Sequence, residues 1–114
     1  SGEAPAATPV AASNEAERAA LRAQAARVFA GDCARCHGVG GAGNGIESET
    51  LVPRPRNFQD PDWQRSVTNT FIERIIIEGG ASVGRADSMP AHPLLAKQKP
   101  LVRELRVYIR NLAR

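Results

Sequence analysis

Apolar residues along this 114-residue chain recur at helical spacing in three places, separated by glycine- and proline-rich stretches. The first stripe is Leu21, Ala25, Val28 and Phe29, at i, i+4, i+7 and i+8, with Arg18, Arg22 and Arg27 on other faces. Asn14 is a suitable N-cap for it, Glu15 and Glu17 suit the positive end of the helix dipole, and Gly31 is placed to end it. The second stripe pairs Phe71 with Ile75 and Ile72 with Ile76, between a Thr68 or Thr70 cap and Gly79-Gly80. Ile75-Ile76-Ile77 has strong strand propensity, but the i, i+4 pairs and the two caps favour helix. The third is Leu101, Leu105, Tyr108, Ile109 and Leu112, opened by Pro100 and closed by Arg110 and Arg114. A short helix is expected near Asp60-Pro61-Asp62-Trp63, and the prolines of 51–58 keep that stretch extended. No alternation of strand and helix is visible, so an all-α fold is expected.

The segments between the stripes differ in kind. Residues 1–12 are rich in alanine and proline with one charge, Glu3. Such a stretch buries too little surface to offset its ordering entropy, so residues 1–14 read as a flexible leader and 15–114 as one domain. The leader is either a frayed terminus or a tether to a lipid anchor or a preceding domain. Gly38 to Gly45 holds five glycines in eight positions. It lacks the Lys-Ser/Thr ending and flanking strand of a phosphate-binding loop, and close approach of backbone to a bound group explains it better.

Between the first stripe and that loop stands Cys33-Ala34-Arg35-Cys36-His37, which contains both cysteines of the chain. Cys-x-x-Cys-His is the attachment signature of a c-type haem. Thiols three positions apart on one helical turn reach the two vinyl groups of a porphyrin, and the adjacent imidazole can ligate the iron from beneath. Three other readings weigh less. A thioredoxin-like pair needs a βαβ surround, and a zinc site needs more ligands than His37 and His92 supply. A disulfide here would close a very short loop and constrain the unfolded chain little. One haem c, attached through Cys33 and Cys36, is therefore expected.

For the second axial position Met89 is the sole methionine, in a polar, proline-stiffened Ser88-Met89-Pro90 loop that suits core filler poorly. A thioether is a soft, neutral donor that favours ferrous iron and raises the potential. His92 is the rival ligand, and an open site the remaining alternative. The chain has only three phenylalanines, one tyrosine and one tryptophan, and a covalently held porphyrin would supply missing apolar bulk. Because covalent haem attachment in bacteria takes place outside the cytoplasm, a cleaved export signal and a periplasmic or otherwise extracytoplasmic location are expected. No apolar run approaches the ~20 residues needed to cross a bilayer.

The series is now specific. A helix runs into Cys33-Ala34-Arg35-Cys36-His37-Gly38, and a glycine-rich loop, Pro55-Arg56-Asn57-Phe58 and a capped helix ending in Gly79-Gly80 follow. Met89-Pro90 and a last helix with Leu105, Tyr108, Ile109, Arg110 and Leu112 complete it. Over about residues 15–114 this resembles a monohaem class I cytochrome c. The resemblance implies three to five helices around one haem, with the first and last helices crossing near Phe29 and Tyr108. It also implies that a proline carbonyl, Pro53 or Pro55, accepts the proton-bearing nitrogen of His37.

Charge adds less. Arg54 and Arg56 could pair with haem propionates or be a solvated loop face, and Trp63 could donate its indole N–H there or cap the core. A net charge of +3 and a pI near 9.4 favour acidic redox partners, with Arg35, Arg85, Lys97 and Lys99 as candidates to rim an exposed haem edge. The basic residues are dispersed without an aromatic platform, which excludes nucleic acid. A monomeric electron carrier rather than an enzyme is the leading function. A tethered haem module of a larger oxidoreductase or oxidase complex comes second, and a haem-based gas sensor or peroxidase third.

Overall fold

The computed structural model describes residues 3–85 and 88–114, with side chains from Asn14 onward; Ser1 and Gly2 of the expected leader lie outside it. It is all-α, with no strand among the described residues. Helix α1 (Glu3–Val28) passes without a break into a π-helical turn, Phe29–Cys33, and then into α2 (Ala34–His37). Its backbone is helical from Glu3, so Asn14 lies inside the helix instead of capping it. Alanine has the highest helix propensity, and Pro5 falls in the first turn, where its missing N–H had no partner to lose. Gly31 does not end the helix either. In the π turn the Ala34 N–H reaches back five residues to the Phe29 carbonyl, a widening frequent at functional sites. The chain leaves helix at Gly38, where φ is +85°.

Helix α3 (Pro61–Ser66) is capped by Asp60, whose carboxylate accepts from the Asp62 N–H. Helix α4 (Asn69–Glu78) is capped by Thr68, whose hydroxyl accepts the Phe71 N–H at 3.0 Å, so Thr68 and not Thr70 is the cap. Helix α5 (Lys99–Arg110) opens with Pro100 in its first turn. Short 3₁₀ turns at Ser48–Thr50, Ala81–Val83 and Pro93–Lys97 join these elements.

Each apolar stripe meets another. Ala25 and Phe29 of the first pack with Leu101, Leu105 and Ile109 of α5, and Ile72 and Ile76 of α4 close the same core. Phe29 and Tyr108 meet with ring centroids 4.8 Å apart. Phe29 and Leu105 are each 1% exposed, and each such burial contributes about 1.5–3 kcal/mol. The other pair on α4, Phe71 and Ile75, stays half-exposed and faces a cleft beside the core.

Candidate functional site

The cleft holds about 330 Å³ and lies between α2, the extended segment 53–56, α4 and the loop at 88–92. The π turn and α2 bring Cys33, Cys36 and His37 to one side of it, and the loop brings Met89. Pro53, Arg54, Pro55 and Arg56 from the extended segment line it too, as does Trp63 of α3. All nine residues singled out as candidates for the cofactor therefore border a single cavity. Arg35 and Arg85 join them, whereas Lys97 and Lys99 do not. At its inner end a small apolar pocket touches His37, Met89 and His92 together with Phe29, Leu105 and Ile109.

His37 is 8% exposed. Its Nδ1–H donates to the carbonyl of Arg56 at 3.1 Å, not to that of Pro53 or Pro55. The Pro55 and Arg56 carbonyls both lie against Gly43, where an added Cβ would stand 2.7 Å from the first and 3.4 Å from the second. Gly43 in turn donates its N–H to the His37 carbonyl at 2.7 Å. Burial pushes the His37 imidazole below its ordinary value of 6.5, partly opposed by the bond to Arg56. The ring is thus held neutral, with Nδ1 protonated and Nε2 free to donate its lone pair. Burial, assisted by Asp32, pushes the Cys33 thiol up to about 11.

Sequence reasoning missed three supports of this site. Phe58 stacks on the His37 ring, centroids 4.2 Å apart and planes 18° from parallel, and meets Trp63 at 5.2 Å. Phe58 stood in the sequence only as the end of Pro55-Arg56-Asn57-Phe58, with nothing to mark it as the ring that stacks on His37. Gly79 lies under the Met89 loop so closely that a Cβ would meet the Ala91 nitrogen at 3.0 Å and the Met89 carbonyl at 3.1 Å. The Gly-Gly pair was legible as a helix stop but not as a seat for that loop. Third, Gln64, buried in α3, donates to the carbonyls of Phe58 (2.8 Å) and Ile109 (3.0 Å). That ties the Phe58 segment to α5.

The donor set fits a porphyrin iron. Two thiols, an oriented imidazole and a thioether share a cleft walled by Phe71, Ile72, Ile75 and Ile76. Four arginines (Arg35, Arg54, Arg56, Arg85) against two carboxylates (Asp32, Glu47) line it, a balance that suits acidic side arms. A tetrahedral metal is served less well, since no group of three His, Cys, Asp or Glu side chains converges among the described residues. No helix of the described residues is long and apolar enough to cross a membrane.

Neither the curated proteins nor the solved structures yield a match to this chain. The family model for cytochrome c matches residues 22–104, from the last two turns of α1 to the first half of α5. That span takes in the attachment motif, Met89 and every residue lining the cleft except Ile109, and on it the chain belongs to the cytochrome c family: a haem-based electron carrier, not a catalytic enzyme.

Proposed function

We propose that this protein shuttles single electrons between redox partners outside the cytoplasm, using one haem c held by thioethers from Cys33 and Cys36 and ligated by His37 and Met89. Bound haem supplies a one-electron ferric/ferrous couple. The chain's own residues do the rest. His37 offers Nε2 because Nδ1–H is committed to the Arg56 carbonyl. Phe58 limits rotation of the imidazole by stacking on it. Met89 reaches the cleft from a loop whose carbonyl accepts the Gly80 N–H at 3.1 Å. Phe71, Ile75 and the buried isoleucines of α4 exclude water, which lowers the local dielectric and tunes the potential.

The observation that carries the reading is the shared pocket: His37 and Met89, 52 positions apart in the chain, border one apolar space. Arg54, Arg56 and Trp63, all on the cleft, are assigned to the propionate side arms. The partner is acidic, as the arginine excess at the cleft supports. Ile46 and Val52, more than nine-tenths exposed beside the cleft residues Glu47 and Leu51, add an apolar contact surface. The stretch through residue 14, helical from Glu3 rather than extended and lying outside the matched span, is read as the link to an anchor or a preceding domain.

The test is the visible spectrum of the reduced protein before and after carbon monoxide. An unchanged spectrum means both axial positions are firmly held, as an electron carrier requires. A shifted Soret band would mean an open or labile site, and sensing or catalysis would replace the carrier reading.

A further inference from the structure

His92 is the only histidine besides His37, and it borders the same inner pocket as His37 and Met89. Its ring is held in the same manner. His92 Nδ1 lies 3.3 Å from the Ile76 carbonyl oxygen, as His37 Nδ1 lies 3.1 Å from that of Arg56. A carbonyl only accepts, so Nδ1 carries the proton in both rings. In the neutral ring this tautomer places the lone pair on Nε2, the form in which imidazole binds a metal.

The backbone fixes His92 as firmly as it fixes Met89. The His92 N–H donates to the Ile77 carbonyl at 3.0 Å, and the Met89 carbonyl accepts from Gly80 at 3.1 Å. Both residues thus ride one strap docked across the C-terminal end of α4, with Gly79 beneath it. A merely solvated loop histidine needs no such hold on ring and main chain together.

We propose that His92 is a reserve axial ligand: when the Met89 thioether leaves the iron, His92 Nε2 takes the vacated position. The proposal rests on Met89 ligation under Proposed function. In the exchange the iron–sulfur bond breaks and an iron–nitrogen bond forms. Nε2 supplies the electron pair, Nδ1 keeps its proton, and the iron keeps its oxidation state. The consequence is a protein that loses potential without opening its iron to outside ligands, because two imidazoles favour ferrous iron less than a thioether does.

Four haem-loaded proteins decide it: wild type, Met89→Ala, His92→Ala and the double variant. The readouts are the spin state, from visible and electron paramagnetic resonance spectra, and the carbon monoxide affinity of the reduced form. His92→Ala is expected to keep the wild-type spectrum. Met89→Ala is expected to stay low-spin with two-imidazole character and to bind carbon monoxide about tenfold or more weakly than the high-spin double variant. An internal ligand scales the apparent affinity by the fraction of open sites. A Met89→Ala protein that is high-spin and binds carbon monoxide as tightly as the double variant overturns the proposal. If Met89→Ala does not fold, Met89→Leu, which conserves volume, is read in its place. The ligation reading is tested apart, on the wild type alone, by the far-red charge-transfer band of a thioether–iron bond. If that band is missing, Met89 is not the ligand and the reserve role falls with it. If His92→Ala alone opens the iron, His92 is the resting ligand and the reserve role is overturned.

Discussion

His37 shows how one residue's chemistry is set by neighbours it cannot specify. Burial opposes its charged form, and the Arg56 carbonyl fixes which nitrogen keeps the proton. The unfolded chain, where the ring titrates near 6.5, therefore binds more protons than the folded one as pH falls. The stability this group contributes is full above that value and is lost as pH drops through the lower folded value. For the chain without haem, the denaturant midpoint measured from pH 7.5 downward is expected to fall once pH passes below 6.5; a flat midpoint through that window would contradict the buried neutral ring. Gly79 acts at the same scale. With φ at +85° and no room for a Cβ, Gly79→Ala pushes against the Met89 strap. It is expected to cost about 1 kcal/mol or more and to let carbon monoxide bind reduced protein that otherwise resists it, as a titration of that variant would read.

Between elements, the closest ties converge on the end of α5. Arg110 donates from Nη1 to the carbonyl and side-chain oxygen of Gln64, from Nη2 to the Val67 carbonyl at 2.8 Å, and from Nε to Asn69 at 2.9 Å. One guanidinium thereby spans α3, its link to α4, and the start of α4. Arg106 adds a half-buried ion pair with Glu73 at 2.9 Å. Hydrogen bonds to charged groups contribute about 1.5–3 kcal/mol. Arg110→Ala is accordingly expected to lower unfolding free energy by about that much, read by chemical denaturation, with the haem spectrum kept. From sequence, Arg110 was legible only as a dipole-complementing residue, because its partners lie more than 40 positions away.

For the whole molecule, charge and fold act together. The net +3 is dispersed in sequence, but folding gathers four arginines against two carboxylates at the cleft. Electron transfer with an acidic redox partner is expected to slow as ionic strength rises from about 0.01 to 0.15 M, as the screening length shrinks from roughly 30 to 8 Å. Stopped-flow rates across that range check it, and a rate that climbs with salt would rule out an acidic docking partner. The helical architecture itself was legible, including the short helix near Asp60 and the helix over the isoleucine run, with its cap narrowed to Thr68 or Thr70. Both ends of α1 were not: propensity carried it back to Glu3, and a π turn carried it past Gly31.

The sequence by itself determined much of what depends on near neighbours: the Cys33–His37 motif, the apolar stripes, and Met89 as the sole thioether. These are local because covalent spacing and helical period act over a few residues. Only the tertiary structure decided which carbonyl orients His37, which ring stacks on it, and that His92 shares its pocket. Those choices turn on ångström-scale approaches between segments far apart in the chain. The approach of the Pro55 and Arg56 carbonyls to Gly43 is one, and the Gly79 seat beneath the Met89 strap is another. No period or composition encodes such contacts, and close packing of the finished core selects them.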